Sequence, residues 1–391
     1  MGMRFPPTEV PAATTIVTTR GSPGKSKDIY RSGLLCRHTG EYMLKTPWKR
    51  KQGTKSYAYL CARVRAMKSK LLPKEVYPRL MKMEIAEVTR FIEDSEYKAD
   101  VDELAQRYDG VNLIEHALNQ NLALTYRKLL TISAGESHQL ISEYLRWWDV
   151  WNIKTILRGK KYGAPDEEIL ESVVSAGQFG YHDLMTIVQK AVPEITEMLK
   201  QNYPLEGYSE EELDHFENVL DKFYYERLTE IEAVRNPKTK SHRIFSEMVR
   251  TEVDMKNLKT LFRSAKAGVE RERIIDMLIP GGLKLNLITL IKLAGLPFNE
   301  FTTSLRDYPY WDDLLTGIVT EDMDSLIGVE IGLEKYWLEY AARTSHYYPL
   351  SIIPIMDYIL SKRNEVNNIR MIVRGSETGL SDEVIRSRLV L

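Results

Sequence analysis

The sequence predicts an all-α protein built from three similar helical units. From Tyr57 onward, apolar residues recur at spacings of three and four, and the apolar/polar alternation of a half-buried strand is missing. A 15-residue pattern also begins three times, at Asp149, Asp254 and Glu365, with separations of 105 and 111 residues. A dense pattern that returns at nearly constant spacing indicates an internal repeat.

The pattern, which we call the repeat motif, combines one acid, one amide and two cations with an apolar stripe. The acid is followed by Asn at plus three, Lys or Arg at plus five, Arg at plus nine and Gly at plus fourteen. The copies are Asp149, Asn152, Lys154, Arg158 and Gly163; Asp254, Asn257, Lys259, Arg263 and Gly268; and Glu365, Asn368, Arg370, Arg374 and Gly379. Its apolar positions share one helix face, so the motif is expected to be structural.

Each polar group of the motif has an expected partner. The Asn is expected to bond to a neighbouring helix end or loop, because a buried amide without partners is costly. The cations are expected to pair with an acid on the preceding helix of their own unit, Arg158 with Glu115 for example, and Glu217 and Glu334 hold the matching places. The Gly is expected near the helix C-terminus. A three-Arg anion site is the functional alternative.

The segment before Tyr57 differs from the rest of the chain. Residues 1–56 hold eleven Lys or Arg and three Asp or Glu, so they carry +8 and the remainder −9, since the whole chain carries −1. Residues 1–50 are rich in Pro, Gly, Ser, Thr and Lys, which predicts a disordered basic extension. One alternative is an amphipathic or transit-like role, and another is that translation begins at Met43.

Helices are predicted along the remainder of the chain, with breaks at Pro, Gly and Ser-rich points. Their ranges are Tyr57–Leu72, Tyr77–Asp94, Asp102–Arg107, Asn112–Leu130, Ser137–Gly163, Asp166–Val174, Tyr181–Gln201, Ser209–Ala233, the second motif helix after Asn236-Pro237, Leu285–Ala294, Phe298–Leu305, Leu314–Thr316, Met323–Arg343, Ser351–Val373 and Ser381–Leu389. We predict three repeats, residues 51–174, 175–278 and 279–391. Such units stack as a solenoid or close into a ring or funnel.

Several function classes find no support in the sequence. The acidic body argues against nucleic acid as the main partner, and two cysteines, Cys36 and Cys61, are too few for a disulfide framework. No apolar run is long enough to span a bilayer. The seven His residues lack metal-site spacing. Gly21–Ser26 contains Gly-Lys-Ser without the P-loop spacing, and Trp147, Trp148 and Trp151 fit packing better than a ligand cage. No cofactor or catalytic residue is predicted.

The residues do resemble a known family. Tyr57–Leu72, the run Tyr144–Asp149 and the three Asn-x-(Lys/Arg)-x-x-x-Arg motifs are similar to the family of C subunits of archaeal A-type (V-type-like) ATP synthases. That family includes the d subunit of eukaryotic vacuolar ATPases. The resemblance covers roughly residues 51–391, leaves 1–42 outside, and favours Met43 as the start.

The resemblance implies a fold and a role. Family members consist of three similar helical domains arranged as a funnel on the cytoplasmic face of the cell membrane. They rest on the rotor ring of proteolipid subunits (named K or c) and receive the central shaft, which the D and F subunits form. The chain would then be a non-catalytic central-stalk subunit in ion-driven ATP synthesis, a peripheral partner in a complex whose A and B subunits are catalytic. The alternatives are a helical-repeat scaffold of another complex and an enzyme with a novel helical site.

Overall fold

The computed structural model describes residues 57–314 and 326–391, and every regular element in these two ranges is helical. The all-α prediction is confirmed. The predictions for residues 1–50, Met43 and Gly21–Ser26 lie outside the described residues, as do those for Thr316 and the start of the Met323–Arg343 helix. No described helix has the length and apolarity needed to cross a bilayer.

Within the predicted first repeat, the described residues 57–174 form eight α-helices and a short 3-10 turn at Lys74–Val76. These helices are α1 Tyr57–Lys68, α2 Tyr77–Leu80, α3 Ile85–Glu93, α4 Lys98–Leu104, α5 Gly110–Ile132, α6 Glu136–Leu145, α7 Trp147–Lys161 and α8 Asp166–Ser172. The first motif lies on α7. The long helix α5 carries Glu115, and its buried face includes Ile114, Leu118 and Tyr126, which follow the helical period.

The second and third repeats follow the same order of short helices, a long acid-bearing helix and a motif helix. In the second they are α9 Tyr181–Val188, α10 Val192–Leu199, α11 Leu213–Glu230, α12 Glu232–Arg235, α13 Lys240–Ala267 and α14 Arg271–Met277. In the described part of the third they are α15 Leu287–Leu293, α16 Phe298–Ser304, α17 Ile327–Tyr347, α18 Ile353–Glu377 and α19 Asp382–Ser387. The motifs lie on α13 and α18.

Several predicted helices begin, end or divide at other residues in the structure. Tyr77–Asp94 is interrupted where Glu84 adopts an extended backbone and caps α3 together with Glu87. Tyr181–Gln201 is interrupted before α10, where Ala191 has an extended backbone and Pro193 lies in the first turn of the helix. The predicted helix Ser209–Ala233 is shorter in the structure, since α11 begins at Leu213 and ends at Glu230. Ser137–Gly163 divides at Arg146, and the Asp102–Arg107 helix instead spans Lys98–Leu104.

All three motif glycines have a positive φ, between 63° and 71°. Gly268 is the left-handed C-cap of α13, while Gly163 and Gly379 lie one residue beyond the C-caps of α7 and α18. Glycine adopts this conformation at little cost, which ends each motif helix at the same place. The prediction of helix-ending glycines is confirmed.

The buried side chains form two apolar clusters. The larger one joins the beginning and the end of the described chain and includes Leu60, Ile114, Ile156, Leu220 and Ile359. A smaller one lies between α13 and the third repeat, with Leu258, Phe262, Leu290, Phe301 and Leu333. Helix α18 packs on α1, α5 and α17, so the third repeat contacts the first as well as its own acid-bearing helix.

Candidate functional site

The three motif Asn side chains make the same pair of hydrogen bonds. Each amide donates to the carbonyl and accepts from the N–H of the residue 22 positions later: Val174 (2.8 and 2.9 Å), Ile279 (2.8 and 2.8 Å) and Val390 (2.9 and 3.1 Å). All three Asn residues are buried, with at most 3% exposure. The Asn side chain thus supplies the hydrogen bonds that a backbone partner would otherwise supply to the segment after each short helix. The sequence predicts such bonds to a neighbouring helix end or loop.

The first two motif acids hold the beginning of the next repeat. Asp149 accepts the backbone N–H groups of Gln178 (3.0 Å) and Phe179 (2.9 Å). Asp254 accepts those of Lys284 (2.7 Å) and Leu285 (3.1 Å). Each carboxylate therefore binds two successive N–H groups, about thirty residues away in both cases. We call each contact between a motif helix and the following repeat a junction.

A glycine lets the chain approach each of these carboxylates. A Cβ at Gly177 would lie 2.2 Å from Oδ1 of Asp149, and one at Gly282 would lie 2.1 Å from Oδ1 of Asp254. Neither distance is compatible with a side chain, so these two junctions require glycine for steric reasons. Gly177 and Gly282 thus leave room for the carboxylate of the motif acid.

Burial raises the pKa of both of these acids. Desolvation raises the pKa of Asp149 to about 6, although the hydrogen bonds from Phe179 and Gln178 act in the opposite direction. Burial likewise raises the pKa of Asp254, against the hydrogen bonds from Lys284, Tyr310 and Leu285. Desolvation is the larger effect for both.

The third motif acid connects the end of the chain to its beginning. Glu365 accepts the N–H of Leu72 and, at 2.6 Å, the hydroxyl of Tyr97, both in the first repeat. Its other neighbour is Lys362, which is fully buried and donates to Glu365 at 3.1 Å and to Tyr97 at 2.8 Å. The third junction therefore closes back onto the first repeat, and a buried ion pair replaces the second backbone N–H.

The motif arginines pair across repeats, which corrects the predicted pairing within each repeat. Arg158 on α7 donates through two nitrogens to Glu217 on α11, and Arg263 on α13 donates to Glu330 on α17 at 2.6 Å. Arg374 on α18 donates through two nitrogens to Glu115 on α5. The predicted Arg158–Glu115 pair is therefore wrong, because packing places each motif helix against the acid-bearing helix of the next repeat.

The Lys or Arg at plus five of each motif also pairs across repeats, and these pairs correct one predicted equivalence. Lys154 binds Asp221 at 2.7 Å, Lys259 binds Glu334, and Arg370 donates to Asn119 at 2.6 Å. These acceptors lie one helical turn beyond the partners of the motif arginines. The acid equivalent to Glu115 and Glu217 is therefore Glu330, and the predicted equivalence of Glu334 is wrong by one turn.

Three further residues, each two positions before a motif acid, come together where the repeats meet. They are Trp147, Glu252 and Arg363. The guanidinium of Arg363 lies 5.5 Å from the ring centroid of Trp147. Burial acts to lower the pKa of Arg363, but the neighbours Glu334, Tyr144 and Glu252 together raise it. Burial also raises the pKa of Glu252, against the opposite effects of Arg363 and the Tyr144 hydroxyl. Sequence reasoning missed these three residues, although extending the repeat motif by two residues toward the N-terminus would have identified them.

An open cavity of about 410 Å³ adjoins Arg363 between α13, α17 and α18. Its polar lining includes Lys259, Arg263, Glu330, Glu334, Asn367 and Arg388. Nothing in this lining resembles a catalytic constellation, because the acids are paired with cations. No cluster of metal-ligating side chains occurs within residues 57–314 and 326–391.

Two alternatives from the sequence can be decided on geometry. The three motif arginines do not form one anion site, because each is paired with a different carboxylate. The tryptophans pack edge to face, with Trp148 centroids 5.0 Å from Trp147 and 5.7 Å from Trp151, and form part of the larger apolar cluster. They pack as core residues, and no cage is formed.

Comparison with known proteins gives a consistent result. A family model described as ATP synthase (C/AC39) subunit matches residues 60–388. Among similar proteins, the C subunit of the A-type ATP synthase of Methanococcoides burtonii is 53% identical over 90% of this chain and 99% of that protein. Proteins of the same name from Methanosarcina mazei and Archaeoglobus fulgidus are 51% and 35% identical, over 88% and 86% of this chain and 95% and 96% of their own lengths.

These matches cover nearly all of the described chain and agree with the resemblance found in the sequence. They also support the prediction of a non-catalytic subunit. The chain therefore belongs to the ATP synthase (C/AC39) subunit family, as one subunit of a multisubunit A-type ATP synthase.

Proposed function

We propose that this chain is the non-catalytic central-stalk component that couples a membrane proteolipid ring to the central shaft of a rotary ATP synthase. The observation that carries the proposal is the 53% identity to the C subunit of an A-type ATP synthase over 99% of that protein's length. In this role the chain is peripheral, on the cytoplasmic side of the cell membrane. It contacts the ring of K or c proteolipids and the D and F subunits of the shaft, in a complex whose A and B subunits are catalytic.

The junctions are suited to a subunit that transmits torque. Torque that enters one repeat must reach the others without the repeats sliding past each other, and close-packed interiors transmit strain. At each junction a motif acid and a motif Arg attach neighbouring repeats through separate contacts, and the buried motif Asn holds the backbone of the residue 22 positions later. We propose that the twelve polar motif residues are structural in this sense, that the repeats have the predicted boundaries, and that they are arranged as a funnel.

The charge distribution supports protein partners. Residues 1–56 carry +8, while the rest of the chain carries −9 and so has no excess of positive charge for nucleic acid. The runner-up function is a helical-repeat scaffold of another complex, which the same stiffness would serve.

Affinity purification tests the proposal against the runner-up. A tagged chain, expressed in its own cells and solubilised gently, is expected to recover the proteolipid ring and the shaft subunits together with the catalytic head. Recovery of a different assembly, without ring or shaft subunits, would support the scaffold. ATP hydrolysis by the purified chain alone would contradict the non-catalytic assignment.

A further inference from the structure

The cavity beside Arg363 is lined by a motif position whose side chain differs in length among the three repeats. Two residues after the motif acid, the repeats have Trp151, Lys256 and Asn367. Trp151 packs against the larger apolar cluster, and Lys256 reaches Asp221 at 3.0 Å, so each fills its junction. Asn367 is shorter, is exposed, and lines the cavity. The space exists because the third repeat lacks a long side chain there.

Two guanidinium groups line this space, and neither makes a hydrogen bond within the described residues. Arg363 lies beside the Trp147 ring and near the acids Glu334 and Glu252, but no hydrogen bond or ion pair to it occurs within the described ranges. Arg388 also lines the cavity, and its buried Nε has no hydrogen-bond partner there. A buried donor without an acceptor costs about 1–3 kcal/mol, more when the group is charged. Arg388 supplies one such buried donor at this cavity, and Arg363 adds a second guanidinium without a hydrogen-bonded acceptor; together they indicate a missing acceptor.

The charge of the lining indicates which acceptor fits. Lys259, Arg263, Arg363 and Arg388 face Glu330 and Glu334, a balance of +2. Both glutamates are already engaged, by Lys259 and Arg263. The two arginines that remain offer planar forks of N–H groups, a geometry that matches phosphate oxygens. A volume of about 410 Å³ lies in the range of small-molecule sites.

We propose that this cavity binds a phosphate group, as free phosphate or as part of a small phosphorylated molecule, through Arg363, Arg388 and the amide of Asn367. The site borders the motif ion pairs of Lys259 and Arg263 but does not depend on the proposed coupling role. Bound phosphate would neutralise the two unpaired guanidiniums where α13, α17 and α18 meet, and so would stabilise the second junction.

Isothermal titration of the purified full chain with inorganic phosphate, pyrophosphate and ATP tests the proposal. We expect saturable binding of at least one of them, and the tightest of the three identifies the source. Asn367→Asp places a carboxylate at the exposed mouth and is expected to weaken binding roughly tenfold, which is about 1.4 kcal/mol. Asn202→Asp, the same change at an exposed site outside the cavity, is the matched control and is expected to leave binding unchanged.

Two further variants distinguish the loss of the binding site from misfolding. Arg363→Gln is expected to abolish binding, with folding checked by thermal melting. Asn367→Trp fills the cavity as Trp151 fills its own junction, without a change of charge, and is expected to block binding in a folded protein. The proposal is overturned if none of the three anions binds the unmodified chain at millimolar concentration, or if Asn367→Asp and Asn202→Asp bind equally well.

Discussion

At the scale of single residues, the motif stabilises the chain by satisfying buried backbone groups. An Asn, an acid and a glycine act together beside the first two motif helices, each for a different physical reason. The Asn supplies both a donor and an acceptor, the acid binds two N–H groups, and the glycine leaves room for the acid. The type and burial of these residues follow from the repeated pattern, and the prediction that the Asn bonds to a nearby loop is confirmed.

Removing one motif Asn is expected to destabilise the chain strongly. Asn257→Ala leaves the buried N–H and C=O of Ile279 without partners, so the free energy of unfolding should fall by about 2–4 kcal/mol. Urea unfolding measures the change. Asn202→Ala, on the surface, is the control and should change stability by less than about 0.5 kcal/mol. Equal effects of the two substitutions would contradict the role assigned to the motif Asn.

Replacing the turn glycines by alanine is expected to lower the free energy of unfolding. Gly177→Ala and Gly282→Ala put a Cβ within 2.2 and 2.1 Å of the motif carboxylates, so the turn or the acid must move. We expect a loss of about 1–3 kcal/mol in thermal or urea unfolding, as in other overpacked sites. Gly180→Ala meets its nearest atom at 3.4 Å and serves as the matched control. Stability that is unchanged in all three variants would show that the turns adapt freely.

The raised pKa of Asp149 predicts a pH dependence. The pKa is about 6 in the folded chain, above the unfolded value, so the folded state binds the proton more tightly. The contribution of Asp149 to stability is therefore largest below pH 4 and falls as pH rises through 6, by an amount of order 2–3 kcal/mol. Urea unfolding from pH 4 to 8 measures the difference between the unmodified chain and Asp149→Asn. If the unmodified chain gained stability relative to Asp149→Asn as pH rises, the prediction would be contradicted.

At the scale of helices, the junction is defined by which motif helix meets which acid-bearing helix. The sequence predicts the helices α7, α13 and α18 because apolar periodicity and repetition agree. It cannot predict their partners, since Glu115, Glu217 and Glu330 hold equivalent positions and any pairing satisfies the pattern. The breaks at Glu84 and Ala191 also escape prediction, because one residue with an extended backbone divides an otherwise continuous apolar stripe at each point.

The order of pairing can be tested by double-mutant cycles. Glu115→Gln combined with Arg374→Gln is expected to show a coupling of about 0.5–1 kcal/mol, modest because Arg374 is 53% exposed. Glu115→Gln combined with Arg158→Gln is the control and should be additive, since Arg158 pairs with Glu217. Coupling in the second cycle and none in the first would restore the pairing within repeats.

At the scale of the whole molecule, the junctions close on themselves. The third motif helix binds the first repeat through Glu365 and Arg374, as the first two motif helices bind the repeats that follow them. The sequence predicts three repeats and leaves a closed ring or funnel as one alternative, but it does not identify the contacts that close the chain, because partners 293 and 259 residues apart leave no local signal. Glu in place of Asp at position 365, and the absence of a turn glycine at Leu72-Pro73, are explained only once that contact is seen.

The closure makes the chain suitable as one mechanical part, and the proposed function gives that part a place between ring and shaft. If this is correct, removing the chain should separate ion transport from ATP hydrolysis without stopping the catalytic head. The decisive measurement is ATP-driven ion uptake by vesicles that carry the synthase reconstituted with and without the chain. We predict that ion uptake is lost without it while uncoupled ATP hydrolysis persists, and that uptake returns when the purified chain is added. Full ion uptake in its absence would contradict the account.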